Sequence, residues 1–205
     1  MAETILNQFE IDGEVIQVDD DKVTIKVINE GVNQDYEELL VVTVPKELAS
    51  EVRVGEMQSF AGRVERNPAE ETRLMALDIQ PAEEYYNFAT ILAKIWSVDF
   101  YKAKPKLGKK QFLNIFAREE GNPDNRIGAV AFKGLSNELK DLSRGSLLQM
   151  GGQLRRRAFA DNSGRYSTDI LLSASDTEII HEQAPRKMRQ IGDAGKPAKK
   201  AKKKV

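Results

Sequence analysis

Hydrophobic residues fill every second position along two neighbouring stretches near the end of the chain. Leu148, Met150 and Leu154 share one parity of the first stretch, and Ile170 and Leu172 share one parity of the second. A period of two is typical of a strand with one face turned inward. The Asn-Ser-Gly sequence between the stretches favours a turn, because Asn and Gly tolerate left-handed backbone angles. The pattern predicts a two-stranded ribbon.

The same alternation recurs through the rest of the chain. It predicts strands near residues 9–18, 23–27, 39–44, 60–66, 74–79, 89–96, 112–118 and 126–132. A helix is predicted after Pro45 with Leu48 and Val52 inward, and a second one on Leu135, Leu139 and Leu142. Gly13 suggests a bulge in the first strand. The strand at 39–44 is apolar on both faces, which predicts cover on both sides and an interface.

A repeat of about 90 residues joins the two halves. Gly55 and Gly62 are seven residues apart, and so are Gly145 and Gly152. Each pair follows a short amphipathic segment and leads into a basic hairpin. Three strands, a short helix and two further strands is the element order of an OB-fold barrel. The predicted fold is therefore mostly β, with two tandem five-stranded OB-fold barrels that each carry a short helix.

The predicted domains are residues 1–80, residues 87–180 and a tail at 183–205. The junction between the barrels is short, so we expect the barrels to touch, with Tyr85 and Tyr86 packed between them. The tail ends in a Lys-rich sequence and holds too few apolar residues to fold, which predicts a disordered basic segment. It would hold phosphate without reading sequence, or act as a solubilising tail or a localisation signal.

The net charge of −1 conceals a strong asymmetry. Residues 1–84 hold 7 Lys+Arg and 20 Asp+Glu, whereas residues 85–205 hold 24 Lys+Arg and 12 Asp+Glu. The second half is thus a candidate for binding a polyanion. The acidic first barrel is expected to dock on the second barrel, to build a dimer, or to engage a protein.

Several other classes are disfavoured by the sequence. The chain has no cysteine, and the single histidine, His181, has no nucleophile or carboxylate constellation near it. No phosphate-binding or dinucleotide glycine motif occurs. We therefore expect no enzyme activity, no metal and no cofactor. The N-terminus lacks a signal-peptide pattern, and no apolar run approaches the ~20 residues of a membrane helix. A cytoplasmic protein with no membrane contact is expected.

The second half contains an ordered series of residues: Phe132-Lys133-Gly134-Leu135, Leu142, Gly145, and Gly152-x-Leu154-x-x-Arg157-x-Phe159-x-Asp161-x-x-Gly164-Arg165-Tyr166. With this series, roughly residues 87–175 resemble the SSB family of bacterial single-stranded-DNA-binding proteins. The resemblance implies an OB-fold that holds single strands, with Phe132 and Phe159 at positions of stacking rings. The sequence departs from the family at residues 126–128, where a Trp is common, and in its basic tail, where the family has an acidic one.

The candidate nucleic-acid-binding residues combine cations with rings. A predicted loop at 98–110 carries two rings and five lysines as one lip of a groove, and a strand at 112–118 presents rings for base stacking. Phe112 and Phe116 have a second interpretation, as core or subunit interface. The full set is Lys94, Trp96, Phe100, Tyr101, Lys102, Lys104, Lys106, Lys109, Lys110, Phe112, Phe116, Arg118, Phe132, Arg155, Arg157 and Phe159.

These features predict a non-enzymatic protein that coats single-stranded DNA in replication, recombination or repair, in the nucleoid of a bacterial or phage-infected cell. The expected partners are single-stranded DNA, a second copy of the chain that would bring four barrels together, and replication or recombination proteins. One alternative is an RNA-binding OB-fold protein. Another is a protein-interaction adaptor that contacts nucleic acid incidentally through its tail.

Overall fold

A computed structural model describes residues 6–29, 34–65, 73–102, 110–158 and 166–184, with the backbone alone at 157, 158, 166 and 167. The described residues are mostly β, as predicted. The elements are β1 (Asn7–Asp19), β2 (Lys22–Asn29), β3 (Tyr36–Thr43), a 3-10 turn (Ala49–Glu51), β4 (Met57–Glu65), β5 (Arg73–Pro81), β6 (Tyr86–Tyr101), β7 (Phe112–Glu119), β8 (Asn122–Phe132), α1 (Lys133–Leu139), β9 (Leu147–Ala158), β10 (Tyr166–Leu172) and β11 (Glu178–His181).

Strand pairing forms two circuits with the same order. In the first circuit β1 pairs with β2, β2 with β3, β3 with β5, β5 with β4, and β4 with β1 again. In the second circuit, β6, β7, β8, β10 and β9 pair in the corresponding order and β9 returns to β6. Each circuit contains one parallel pair, β3–β5 or β8–β10. The repeat that the glycine spacing predicts is thus present in the pairing order.

Equivalent side chains also make equivalent contacts in the two circuits. The amide group of Asn7 exchanges two hydrogen bonds of 3.0 Å with the backbone of Val64. Asn87 bonds to the backbone of Leu154 in the same way, at 2.9 and 3.0 Å. Both asparagines are buried, so their polar groups are satisfied by a strand backbone rather than by water. The two circuits therefore share local chemistry as well as strand order.

The inward faces follow the predicted parity. Ala89, Ile91, Ala93 and Ile95 of β6 are all buried, as are the apolar residues of β2, β7 and β9 that share one parity. Leu135, Leu139 and Leu142 close the core from α1 and the turn after it. In the described part of the chain α1 is the only α-helix, and no helix there is long and apolar enough to cross a membrane.

The two circuits meet along an antiparallel ladder between β1 and β6. Residues 7–12 pair with residues 86–91, so the circuits touch as expected. Polar contacts flank this ladder. The buried Glu119 carboxylate of β7 accepts from Arg63 of β4 at 2.9 Å and from Asn125 at 2.6 Å. The Arg156 backbone amide donates to Glu38 at 2.9 Å.

Four sequence expectations need correction, and one strand, β11, has no counterpart among the predicted strands. The helix after Pro45 is a 3-10 turn of three residues, because no side chain caps it and Val52 is already extended. The bulge of β1 lies between Val15 and Gln17, not at Gly13. Instead, a Cβ on Gly13 would collide with the Lys26 carbonyl oxygen of β2.

The strand at 39–44 is covered on both faces toward its end alone: Leu40 and Val42 are buried on one face, whereas on the other face Leu39 is 44% exposed and Thr43 is buried. The predicted loop at 98–110 begins later, because β6 continues to Tyr101 and pairs with β7 throughout. β11 was not predicted. Its four residues are all exposed, so no alternation marks it, and it is held by pairing with the start of β9.

Candidate nucleic-acid interface

Three rings form an aromatic row across three adjacent strands. Tyr101 of β6 pairs in register with Phe112 of β7, and Phe112 pairs with Phe132 of β8. Side chains at paired positions project to the same face of a sheet, so the three rings meet. The Tyr101 and Phe112 rings are stacked, with centroids 4.5 Å apart and planes 9° apart. The Phe112 and Phe132 centroids are 6.1 Å apart.

The row remains accessible from outside. Tyr101 is 47% exposed and Phe132 is 36% exposed, while Phe112 between them is half-buried. Large exposed rings in contact with one another are uncommon unless a ligand or partner covers them. The aromatic row therefore provides flat apolar faces to a ligand with flat groups of its own.

The row lies in a groove of about 720 Å³. Three cations line this groove beside the row: Lys110, which precedes β7, and Arg155 and Arg156 of β9. The buried Asp169 of β10 lines it as well, so the groove holds one carboxylate beside these cations. The Nε atom of Arg155 lies 3.6 Å from a carboxylate oxygen of Glu38, and its guanidinium carbon lies 5.1 Å from the ring centre of Tyr36. Arg155 therefore also connects β9 to the first circuit. Burial raises the pKa of Tyr36, while the neighbouring Arg155 opposes that rise.

A second cluster lies around Trp96, which is the extra residue of a bulge in β6. Ile95 pairs with Ala117 and Ser97 pairs with Phe116, so Trp96 has no cross-strand partner. Bulges redirect a side chain, and they occur often beside functional sites. The guanidinium carbon of Arg118 lies 4.0 Å from the Trp96 ring centre, and that of Arg144 lies 3.3 Å from it. Phe116 and Arg126 complete a cavity of about 340 Å³ with Trp96 and Arg118.

The other predicted residues line neither the groove nor the cavity, or they lie outside the described residues. Phe100 packs against the core, with the Lys140 ammonium 5.8 Å from its ring centre. Lys94 forms an ion pair of 2.8 Å with Glu120, and Lys102 is exposed directly after β6. Outside the described residues lie Lys104, Lys106, Lys109, Phe159 and the side chain of Arg157.

Three arginines near these clusters were missed by the sequence reasoning. Arg126 pairs in register with Arg118, and Arg156 follows Arg155 on β9. Arg156 lies between the candidates Arg155 and Arg157, so its position in the chain was an available signal, whereas Arg126 is next to a candidate only through the pairing of β7 with β8. Arg144 has no such signal, because it comes from the turn before β9 and reaches Trp96 through the fold alone.

The first circuit presents different chemistry at the corresponding positions. Its bulge residue is Ile16 instead of Trp96. Lys26, on the outward face of β2, is paired with Glu14, and this hydrogen bond raises the pKa of Lys26. A groove at the junction contains Tyr86, whose pKa is raised by burial and by the nearby carboxylates of Glu10 and Asp12. Negative surroundings of this kind disfavour phosphate.

Comparisons with known proteins agree with this geometry at the level of the fold. No protein-family model matches the sequence, and no curated protein matches it either. Among solved structures, the wild-type single-stranded DNA binding protein from Thermus aquaticus is similar with a TM-score of 0.69 and 14% sequence identity. The likeness covers 89% of this chain and 97% of that chain.

Two further structures extend the comparison. A deletion mutant of the same Thermus aquaticus protein gives a TM-score of 0.67 at 15% identity, covering 89% of this chain and 98% of that chain. The SSB domain of a Synechococcus protein covers 45% of this chain, with a TM-score of 0.35 and 16% identity. From the likeness to the two Thermus aquaticus structures, the fold of this chain is the SSB-like OB-fold, which confirms the fold that the resemblance in the sequence implies.

Proposed function

We propose that this protein binds single-stranded DNA with little sequence preference and protects it during replication, recombination or repair. The observation that carries the proposal is the exposed aromatic row of Tyr101, Phe112 and Phe132 inside a groove lined by Lys110, Arg155 and Arg156. Every base has a π-face, so rings of this kind bind bases of any sequence, while the cations hold the backbone. The role requires no catalysis.

We further propose that each strand circuit is an OB-fold barrel, and that the two barrels divide the work. Both circuits have the strand order and the single parallel pair that such a barrel needs. The second barrel would bind DNA, since the aromatic row and the arginines lie there. The first barrel would serve as a structural and interaction domain, because its matching face carries Ile16 and paired charges.

The basic tail would add a sequence-independent hold on the same ligand. The last described residues lead toward the second barrel, where the Gln183 amide donates to the Ser146 hydroxyl at 3.0 Å. The Ser146 carbonyl in turn accepts from the Ile95 amide at 2.8 Å, so the last described residues lie near the strand that carries Trp96. The sequence after position 184 holds nine Lys and Arg residues, which would bind phosphate without reading sequence.

We also propose a homo-oligomer, with two chains bringing four barrels together, and contacts with replication or recombination proteins. The exposed Ile179 and Ile180 of the outermost strand β11 support an interaction surface. Sedimentation equilibrium of the full chain checks the assembly. A dimer is expected, and a monomer at every concentration would refute this part of the proposal.

The proposed function is tested by removing rings. We expect Phe132→Leu and Phe112→Leu to weaken binding of the full chain to oligo-dT by between about fivefold and about a hundredfold, since stacking is worth roughly 1–3 kcal/mol per base. Phe88→Leu is the matched control, because Phe88 is a half-buried ring at the junction, beside Tyr86. It should change affinity by less than about twofold. Fluorescence anisotropy measures all three.

The choice of ligand distinguishes the competing functions. Oligo-dT, the matching duplex and oligo-rU are compared at two salt concentrations, with the full chain and with a chain that ends at Ala184. Preference for oligo-dT that survives loss of the tail is expected. Equal binding of the duplex would refute the single-strand role. Preference for oligo-rU would favour the RNA-binding alternative, and loss of all binding with the tail would favour the adaptor.

A further inference from the structure

The indole ring of Trp96 is approached from both edges of β6 by arginines. Arg118 lies on β7, which pairs with one edge of β6. Arg144 precedes Gly145, whose amide donates to the Ile95 carbonyl at 2.8 Å on the other edge. Their guanidinium carbons lie 4.0 and 3.3 Å from the ring centre. Both distances are typical of a cation–π contact, and Trp96 is still 41% exposed. A base that stacked on a ring face covered in this way would have to displace a guanidinium.

The arginines around Trp96 differ from some other described cations of the protein, because those other cations are paired with carboxylates. Lys94, Arg63 and Arg155 each lie within 4 Å of a carboxylate. In the described part of the chain, no carboxylate makes an ion pair with Arg118, Arg126 or Arg144. Three positive groups are thus held around one ring and one cavity with no ion-pair partner among the described residues, although like charges repel one another.

The position of the two guanidiniums over the Trp96 ring has a chemical consequence. A guanidinium that lies flat over an aromatic ring keeps its N–H groups in its own plane, so their donors remain available at its edge. Two edges beside one ring can each bind a phosphate in a bidentate manner. The bulge at Trp96 directs the ring to this place, while Arg126 adds a third cation at the rim of the same cavity.

We propose that Trp96, Arg118, Arg126 and Arg144 form a phosphate clamp, in which Trp96 orients the two guanidiniums and does not stack on a base. This inference rests on the proposed binding of single-stranded DNA and assigns the cluster to the backbone. The aromatic row reads bases, whereas the clamp binds the phosphate between nucleotides. Trp96 is thus a positioning residue, which revises the stacking role that the sequence suggests for it.

The test compares oligo-dT with a base-free oligonucleotide that has the same sugar-phosphate backbone. We expect Arg144→Gln in the full chain to weaken binding of both by the same factor, about tenfold at low salt, because one charged phosphate contact is lost. The slope of log affinity against log salt should fall by about 0.7. Arg144→Lys keeps the charge and should keep most of the slope. Thermal melting of each variant confirms that it is folded.

Trp96→Leu separates the clamp from a stacking platform. The clamp requires an equal loss with the two oligonucleotides, since the ring acts on the arginines. A loss confined to oligo-dT would show that Trp96 stacks on a base and would overturn the inference, as would an unchanged salt slope for Arg144→Gln. Phe132→Leu is the matched ring deletion, and its loss should be confined to oligo-dT.

Two further comparisons identify the phosphate and separate this inference from the proposed function. Binding of oligo-dT with a 5′-phosphate is compared with binding of oligo-dT with a 5′-hydroxyl. If Arg144→Gln weakens both equally, the clamp binds an internal phosphodiester. A loss with the phosphorylated strand alone indicates a terminal phosphate. If Phe132→Leu weakens oligo-dT binding while Arg144→Gln has no effect, the function stands and the clamp fails. If the wild-type chain binds neither oligonucleotide, both fail.

Discussion

Gly62 and Gly152 occupy the same place in the two circuits, on the fourth strand of each. A Cβ on Gly62 would collide with the carbonyl oxygen of Met75, and a Cβ on Gly152 with that of Leu171. In both cases the obstacle is backbone of the neighbouring strand, which cannot move aside as a side-chain tip can. The absence of a side chain at these two residues lets β4 approach β5 and β9 approach β10.

We therefore expect Gly62→Ala and Gly152→Ala each to lower the free energy of unfolding by about 3 kcal/mol or more, since overpacking against backbone forces the strands apart. Gly134→Ala is the matched control. Nothing lies within 4 Å of a Cβ there, and Gly134 is in α1, so this change should be neutral or stabilising by up to about 1 kcal/mol. Urea denaturation measures all three. Equal urea midpoints for Gly62→Ala, Gly152→Ala and the control Gly134→Ala would contradict the close approach of the neighbouring strands at Gly62 and Gly152.

At the scale of elements, an ion pair between β4 and β7 reinforces the ladder by which β1 and β6 join the two circuits. The Glu119 side chain is fully buried beside that ladder, whereas its partner Arg63 is 42% exposed. A buried carboxylate without its cation is far more costly than one in water. The Arg63–Glu119 pair thus fixes β4 of the first circuit against β7 of the second.

Arg63→Ala should lower the free energy of unfolding by about 2–3 kcal/mol, because the buried Glu119 side chain would lose its cation partner. Lys94→Ala removes the exposed pair with Glu120 and should cost less than about 1 kcal/mol. Adding Glu119→Gln to Arg63→Ala should recover part of the loss, as the amide carries no charge. Thermal and urea unfolding measure this series. If Arg63→Ala and Lys94→Ala lowered the free energy of unfolding by the same amount, burial of the Glu119 carboxylate would be unimportant for the strength of its ion pair.

At the scale of the whole molecule, opposite charge separates the two halves. The aromatic row and the arginine cluster both belong to the second circuit, and the first circuit presents carboxylates near Tyr86. Such a distribution steers a polyanion toward one half and away from the other. The tail adds nine basic residues and one Asp to the favourable half.

A chain that ends at Ala184 should therefore bind oligo-dT about tenfold or more weakly at low salt, with a smaller salt slope, yet keep its preference over duplex. The difference from the full chain should vanish at high salt, because counterion release no longer favours the tail contacts. Anisotropy titrations across a range of salt concentrations give both slopes. Unchanged slopes would show that the tail does not touch the DNA.

Periodicity in the sequence was sufficient to predict a strand and its inward side chains where the strand has one buried face. Ala89 to Ile95 alternate because the core accepts every second side chain, so their strand and its parity were predictable. β11 has no buried face and hence no alternation, so the sequence could not show it. The start of the loop after β6 was misplaced because Phe100 and Tyr101, although they face opposite ways, are both aromatic and blur the pattern.

The sequence by itself determined the β class, the repeat, the inward parities, the acidic and basic halves, and the resemblance to SSB proteins. Each of these is local or additive along the chain. Tertiary structure alone decided which residues meet: that Tyr101, Phe112 and Phe132 form one row, and that Arg144 reaches Trp96. Strand register and the bulge in β6 bring together residues far apart in the chain, and no local pattern encodes their separation in space.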